Sequence, residues 1–261
     1  MKKQTLKSWE EFERELVAIN ERTKVLQQKG QLSRMEYPLY RGVSDSEYHL
    51  ESTLDRIKKE MGLSDYLEII EIIHKHVVTC TGKEWNLKTK VKLGRFDLPA
   101  YEFMAYLRHN GFPSPLLDWT RSPYIAAFFA FRDIYSKVKH VSIFVYRGDI
   151  MYGDIFLLGP TIATHRTHYL QQSEYTICVK EENGNIHFAN HEDVKEDVEE
   201  QDVLIKYDIP VSEQQKVLKK LDSMNITAYS LFGSEPSLME TLALQEICFE
   251  MWDRFLASKN E

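Results

Sequence analysis

The stretch from residue 109 to residue 131 combines carboxylate and hydroxyl side chains with the start of an apolar helix. Asp118 and Thr120 follow a short apolar run, and Ser122 stands just before the run PYIAAFFAF. A serine suits the N-cap of a helix, and the proline after it suits the first helical position. The sequence therefore predicts a helix from Tyr124 to about Ile134, buried because nearly every face is apolar. Its N-terminus offers unpaired N–H groups and a partial positive charge, an arrangement typical of binding sites.

Arg41 lies between Tyr40 and Gly42 at the end of a predicted short strand, Tyr37–Gly42. A guanidinium group binds a phosphate or a carboxylate through two parallel hydrogen bonds, and a glycine beside it lets a ligand approach the backbone. The alternative is a structural ion pair between Arg41 and Asp118. A carboxylate in an apolar run needs a partner, so Asp118 either takes part in chemistry, caps the following helix or holds Arg41.

Gln172 and Glu174 form a third group, just before a predicted strand, Tyr175–Val179. In an extended chain alternate side chains point the same way, so these two are expected on one side. A glutamate at a strand edge can serve as a general base or stabilise a cation. The alternative for Glu174 is an exposed loop carboxylate.

Histidines are the remaining candidates. His109 is either catalytic or a buried histidine with its hydrogen bonds satisfied. His165 and His168 could contribute to a metal site, but their spacing matches no strong ligand motif, and no metal is expected.

These segments resemble the FRG domain family, which is named for an aromatic-Arg-Gly motif. The corresponding segments are Tyr40–Gly42, then His109–Pro123 with its LLDWT-x-SP pattern, then Gln171–Tyr175, and a last strand over Leu204–Pro210. The resemblance runs from about Tyr37 to the C-terminus.

The order of the segments is also similar to that in arginine-specific ADP-ribosyltransferases. That similarity implies NAD as the cofactor and assigns a role to each segment. Arg41 would grip the phosphates, with Tyr40, Gly42 and Asp118 beside it. Thr120 and Ser122 would line the nicotinamide pocket. Gln172 or Glu174 would face the ribose and stabilise its cation.

The leading hypothesis is thus an intracellular protein that carries out NAD-dependent ADP-ribosyl transfer or NAD cleavage. Bacterial phage defence or toxin action, with a protein acceptor or regulatory partner, is the context that the family suggests. The alternative is a non-enzymatic protein-binding module in which Arg41, Asp118 and Gln172 form a structural polar network. A metal-dependent nuclease or hydrolase ranks last.

The composition sets wider bounds. The chain has 261 residues, of which 43% are hydrophobic and 28% charged, with a net charge of −7. This fits one large domain, or one domain with a lobe, and gives no strong signal for nucleic-acid binding. No apolar run is long enough to cross a membrane. Three widely spaced cysteines, Cys80, Cys178 and Cys248, suggest a reducing compartment, so a cytoplasmic location is expected.

The predicted elements place helices first and strands later, which favours an α+β fold. We expect a compact structure in which N-terminal helices pack on a small, mostly antiparallel sheet, with an ADP-ribosyltransferase-like core. Residues 1–36 are expected to form an N-terminal helical segment, and the resemblance implies an FRG domain over residues 37–261 with an acidic excursion over about 181–202. Ser8, Ser64 and Ser212 are predicted helix N-caps. A last helix is predicted from Ser237 to about Leu256.

Overall fold

The computed structural model describes residues 1–30, 37–133, 137–148, 153–159, 166–194 and 201–252. The strands in these ranges are β1 Lys2–Thr5, β2 Leu39–Val43, β3 Lys90–Leu93, β4 Phe96–Pro99, β5 Leu117–Thr120, β6 His140–Arg147, β7 Ile155–Leu158, β8 Ser173–Glu182, β9 Asn185–Phe188 and β10 Val203–Pro210. The α-helices are α1 Trp9–Gln28, α2 Leu63–Thr81, α3 Tyr101–His109, α4 Pro123–Phe131, α5 Arg166–Leu170, α6 Gln214–Ser223, α7 Ala228–Phe232 and α8 Glu235–Ala243, and a π-helix over Leu244–Phe249 follows α8. Within these ranges, no helix has both the length and the apolar character that a membrane span requires.

One large sheet organises the fold. Its strand order is β1-β10-β6-β2-β5-β8-β7, and β9 pairs with the far end of β8. β1 runs parallel to β10, whereas the other neighbours are antiparallel. The predicted α+β class and mostly antiparallel pairing are confirmed, but the sheet has eight strands and is therefore larger than predicted.

Helices cover one face of this sheet in two groups. Trp9 and Phe12 of α1 share a core with Ile125 of α4 and Val217 of α6 over β6 and β10. A second core joins α2 and α3 to β7 and β8. Between the two groups, the face of the sheet around β5 is left open to form a cleft.

The serine caps at two helix starts follow the prediction. Ser8 Oγ accepts a hydrogen bond from the Glu11 N–H at 3.4 Å, and Ser122 Oγ accepts one from the Ile125 N–H at 3.3 Å. The Glu11 carboxylate accepts a hydrogen bond from the Lys7 N–H at 2.7 Å. α4 begins where predicted and ends at Phe131; Ile134 lies outside the described residues.

Two predicted caps are wrong. α2 begins at Leu63, so its N-cap is Gly62 and Ser64 lies inside the helix. The chain from Val211 to Glu213 forms a 3-10 turn, so α6 starts only at Gln214. Because a serine serves equally well in a turn, its position alone does not fix the start of a helix.

The start of the acidic excursion contains a small hairpin formed by β8 and β9. Asn183 and Gly184 have φ values of 52° and 78°, as a tight two-residue hairpin turn requires. Phe188 is buried, which fixes the register of β9 on β8. Residues 195–200 of the excursion lie outside the described part of the chain.

Gly42 brings α4 close to the sheet. A Cβ atom built on Gly42 would lie 1.8 Å from the Ala126 carbonyl oxygen and 2.7 Å from the Ala130 nitrogen. Both are backbone atoms, which cannot move aside without displacing the helix. The close approach that this glycine permits is therefore to α4.

Replacing Gly42 by alanine should destabilise the fold by about 3 kcal/mol or more, because overpacking here pushes a buried helix off the sheet. Urea unfolding of the variant and the wild type measures this. Gly159→Ala is the matched control, since its Cβ would meet only the Glu174 carboxylate at 3.9 Å. Equal midpoints for Gly42→Ala and wild type would show that α4 is not fixed by this contact.

Candidate functional site

A cleft of about 600 Å³ opens over β5, between the two helical groups. Its walls come from β2, α3, β5, α4, α5, β8 and the segment around α7 and α8. The lining residues are Tyr40, Arg41, Gly42, Arg108, His109, Asp118, Trp119, Thr120, Phe129, Thr167, His168, Gln171, Ser173, Tyr175, Phe232 and Ser234. Of the predicted site residues, Tyr40, Arg41, Gly42, His109, Asp118 and Thr120 meet here.

Arg41 lies where β2 separates from β5. The two strands pair at Tyr40 and Thr120, and beyond that point the Arg41 Nη1 donates a hydrogen bond of 2.7 Å to the Asp118 carbonyl oxygen. The guanidinium thus satisfies a β5 carbonyl that β2 no longer reaches. Burial lowers the pKa of Arg41, and the charge of Asp118 opposes that shift.

The Asp118 carboxylate holds two arginines. Its Oδ2 contacts Arg108 Nη2 from α3 and lies 3.5 Å from Arg41 Nη1. The arginine side chains are 16% and 18% exposed, respectively, so both cations are largely removed from water. The predicted pairing of Arg41 with Asp118 is present, and Arg108 joins it.

Both arginines keep donors that no described residue uses. Arg41 bonds through Nη1, so its Nε and Nη2 have no hydrogen-bond partner among the described residues. Arg108 bonds through Nη2, and its Nε is buried without a partner in the described part of the chain. A guanidinium offers five N–H donors, so the pair retains capacity for an anion.

The side-chain hydroxyls of Thr120 and Ser122 make hydrogen bonds that stabilise the fold. The Thr120 hydroxyl donates to the Gln171 carbonyl oxygen at 2.7 Å and accepts from the Ser122 N–H at 3.1 Å. Thr120 nevertheless lines the cleft, whereas Ser122 caps α4 and does not.

Glu174 lies on the other face of the sheet. Ser173 and Tyr175 line the cleft, and because side chains alternate along β8, Glu174 points away from it. Its Oε1 accepts hydrogen bonds of 2.6 Å from both the Tyr37 hydroxyl and the Arg121 Nε. The carboxylate is fully buried, so the alternative of an exposed loop carboxylate is wrong.

Tyr37 and Arg121 complete this ion-pair cluster. The Arg121 guanidinium carbon lies 4.4 Å from the centre of the Tyr37 ring. Burial, together with the neighbouring Glu174, raises the pKa of the Tyr37 hydroxyl. The cluster ties the end of β5 to β8 and the approach to β2.

Gln172 does not belong to the strand that follows it. It has a φ of 49° and is exposed, at a turn whose carbonyl accepts from the Arg121 N–H. The strand alternation on which the expected common side of Gln172 and Glu174 was based therefore does not apply, because Gln172 precedes β8. Its neighbour Gln171 lines the cleft and donates to the Leu231 carbonyl oxygen at 3.2 Å.

His109 and His168 stand edge to face at the cleft wall, with ring centres 4.9 Å apart. His109 is exposed, so the alternative of a buried histidine is wrong. His168 is buried, and its Nε2 lies 2.8 Å from the Tyr175 hydroxyl. Burial raises the pKa of Tyr175, so this hydroxyl stays protonated at neutral pH.

The described residues contain no group of three or more His, Cys, Asp or Glu side chains that could hold a metal ion. His165, considered above with His168, lies outside the described residues.

His191 lies beneath the cleft, on the opposite face of the sheet. Its Nε2 is 2.8 Å from the Thr176 hydroxyl, which also accepts from the Trp119 indole nitrogen at 2.7 Å. Burial, with a smaller effect of the Arg41 charge, lowers the pKa of His191 to about 3. This imidazole is therefore neutral in the folded protein.

Sequence reasoning missed Arg108 and the aromatic wall formed by Phe129 and Phe232. One signal for Arg108 exists: it follows the buried Tyr101 and Met104 at intervals of seven and four, which places all three on one face of α3. No local signal links Phe232 to a strand more than a hundred residues earlier.

The comparisons with known proteins agree with part of the resemblance noted above. Residues 36–139 match the family model described as the FRG domain. The matched range includes Tyr40–Gly42 and His109–Pro123, whereas Gln171–Tyr175 lies beyond it. Comparison with curated proteins and with solved structures gives no match. The similarity to ADP-ribosyltransferases stays a prediction.

Acidification should destabilise the protein through His191. The unfolded chain binds a proton near the ordinary histidine pKa of 6.5, whereas folded His191 does so only near pH 3. The unfolded state therefore binds more protons in between, and stability falls as the pH drops from about 6.5. At pH 5 the lowered pKa of His191 should reduce the free energy of unfolding by up to about 2 kcal/mol relative to neutral pH.

Urea unfolding between pH 7 and pH 5 tests this expectation. His191→Gln should lose less stability over that range than the wild type, with His187→Gln on the β9 hairpin as the matched control. Parallel pH profiles for wild type and His191→Gln would contradict the role of this buried imidazole.

Proposed function

We propose that the cleft binds a nucleotide through its phosphates, with NAD as the first candidate. The observation that carries the proposal is the pair of arginines, Arg41 and Arg108, that meet in the cleft with unused donors. Arginine is the preferred partner of phosphate because its planar fork matches two phosphate oxygens.

The rest of the cleft suits the remainder of such a ligand. The Phe129 and Phe232 rings stand edge to face with centres 6.0 Å apart and give the cleft an apolar wall. Ser173, Ser234 and Gln171 add polar groups near it. A volume of about 600 Å³ falls within the usual range of small-molecule sites, roughly 300 to 1,000 Å³.

For the reaction we propose ADP-ribosyl transfer or NAD cleavage: the bond between nicotinamide and ribose breaks, and nicotinamide leaves with the electron pair. The ribosyl cation that develops then forms a bond to an acceptor nucleophile or to water, which loses a proton. His109, exposed in the cleft, is the side chain best placed to transfer a proton. Glu174 and Gln172 do not line the cleft, so in this proposal they support its walls. The setting that we propose is the cytoplasm, in bacterial phage defence or toxin action on a protein acceptor.

A second candidate is a non-enzymatic protein-binding module. It is favoured by the paired charges: Asp118 holds both cleft arginines, and Glu174 is tied to Arg121 and Tyr37. In that case these residues fix the fold, and the cleft takes no nucleotide.

Titration calorimetry with NAD distinguishes the proposed nucleotide-binding cleft from the protein-binding module. Wild-type protein should bind, and Arg41→Ala should bind about tenfold to a hundredfold more weakly, because a charged hydrogen-bond donor to phosphate is lost. Arg41→Lys keeps the positive charge but loses the planar guanidinium group. Its affinity for NAD should therefore lie between those of the wild type and Arg41→Ala.

Arg95→Ala is the control, since it removes another arginine, paired with Glu181, that neither lines the cleft nor packs on its aromatic wall. Thermal unfolding of each variant shows that it is folded. No heat with wild-type protein, or equal affinity for wild type and Arg41→Ala, would favour the binding module.

A further inference from the structure

An apolar stripe is exposed along α8 and the π-helix that follows it. The chain stays helical to residue 252, and Met239, Ala243, Ile247 and Met251 are exposed at intervals of four residues, which places them on one side. Ile247 is 64% exposed, and the two methionines are each 56% exposed. Contiguous apolar surface of this kind is typical of an interaction site.

A cavity of about 500 Å³ opens beside the stripe, between α4, α6 and α8. Ala243 and Ile247 belong to its lining as well as to the stripe, and Phe128 and Leu218 form part of the opposite wall. Phe129 lines both this cavity and the cleft, so the two lie side by side. A partner's anchoring side chain typically fills such a pocket at the centre of an interface.

The segment that carries the stripe is acidic. Residues 235–252 include four glutamates and neither lysine nor arginine. Glu246 and Glu250 are exposed and directly precede Ile247 and Met251 of the stripe. Asp133 adds a further carboxylate at the cavity.

Two cations close to this surface are already engaged. Arg132, which lines the cavity, donates two hydrogen bonds of 2.6 Å to the Glu240 carboxylate. Lys219 Nζ of α6 lies 5.6 Å from the centre of the Phe249 ring. The apolar stripe is therefore bordered by negative charge, which favours a positively charged partner.

These charges distinguish between the possible occupants. A second copy of the chain would bring the same acidic surface to both sides of a two-fold interface, which places like charges together. Helices that lie on membranes carry lysine and arginine on the polar face, and this one carries glutamate. A partner helix with an apolar face bordered by basic residues matches both the stripe and its charges.

We propose that the stripe and the cavity together form a docking surface for a basic amphipathic helix of a partner protein, which inserts a bulky apolar side chain into the cavity. The docking surface lies outside the cleft, so the inference does not depend on nucleotide binding.

The test uses two synthetic helical peptides of about 18 residues, long enough to cover the stripe. Both carry leucines at i, i+3, i+4 and i+7 spacing; one has lysines on the polar face and the other has glutamates. In fluorescence anisotropy titrations the lysine peptide should bind wild-type protein about tenfold more tightly than the glutamate peptide does, because only its charges complement the surface.

Ile247→Gln should weaken binding of the lysine peptide by about tenfold, since it removes an apolar contact at the mouth of the cavity. Ile72→Gln is the matched control: Ile72 lies on α2, away from the docking surface, and is 65% exposed, as Ile247 is 64% exposed. Because both side chains are exposed and glutamine suits a helix, both variants should fold. Thermal unfolding checks this.

Three results would overturn the inference. The first is no binding of the lysine peptide, or equal binding by wild type and Ile247→Gln. The second is equal affinity of the wild type for the two peptides. The third is dimerisation in sedimentation, or binding to phosphatidylserine vesicles, that Ile247→Gln abolishes, because a second copy or a membrane would then cover the stripe. A failure of NAD to bind would leave these results unaffected.

Discussion

The carboxylate of Asp118 joins three parts of the chain at one point. It lies on β5, and its Oδ2 contacts Arg108 from α3 and Arg41 from β2. Without it, two largely buried cations would face each other with no counter-charge, which costs several kcal/mol in a partly desolvated site. This contact ties α3 and β2 to β5 at the edge of the cleft.

A steric constraint acts beside the electrostatic one. Gly42 follows Arg41 and lies directly under α4, where a side chain would overlap the Ala126 carbonyl. This contact fixes β2 beneath the helix, and the divergence of β2 from β5 then leaves space for the Arg41 guanidinium. In the segment Tyr40–Gly42, Gly42 permits close packing against α4 and Arg41 carries the charge. The packing at Gly42 is needed to place the Arg41 guanidinium.

Local chemistry allowed part of this to be predicted from the sequence. Ser122 and its proline define the start of α4, and Arg41 and Asp118 meet because charges in apolar runs need partners. Glu174 was harder, because the face of a strand on which a residue lies depends on where the strand begins, and Gln172 turned out to precede β8. β1 carries exposed side chains throughout and is held by backbone pairing to β10, so it leaves no hydrophobic pattern to detect.

The account depends on whether a phosphate engages both arginines. The most direct measurement is a crystal structure of the protein with ADP. We expect phosphate oxygens at hydrogen-bond distance from Arg41 and Arg108, with the adenine in the part of the cleft near Phe129 and Phe232. ADP bound elsewhere, or bound in the cleft with no phosphate oxygen at either arginine, would contradict the account.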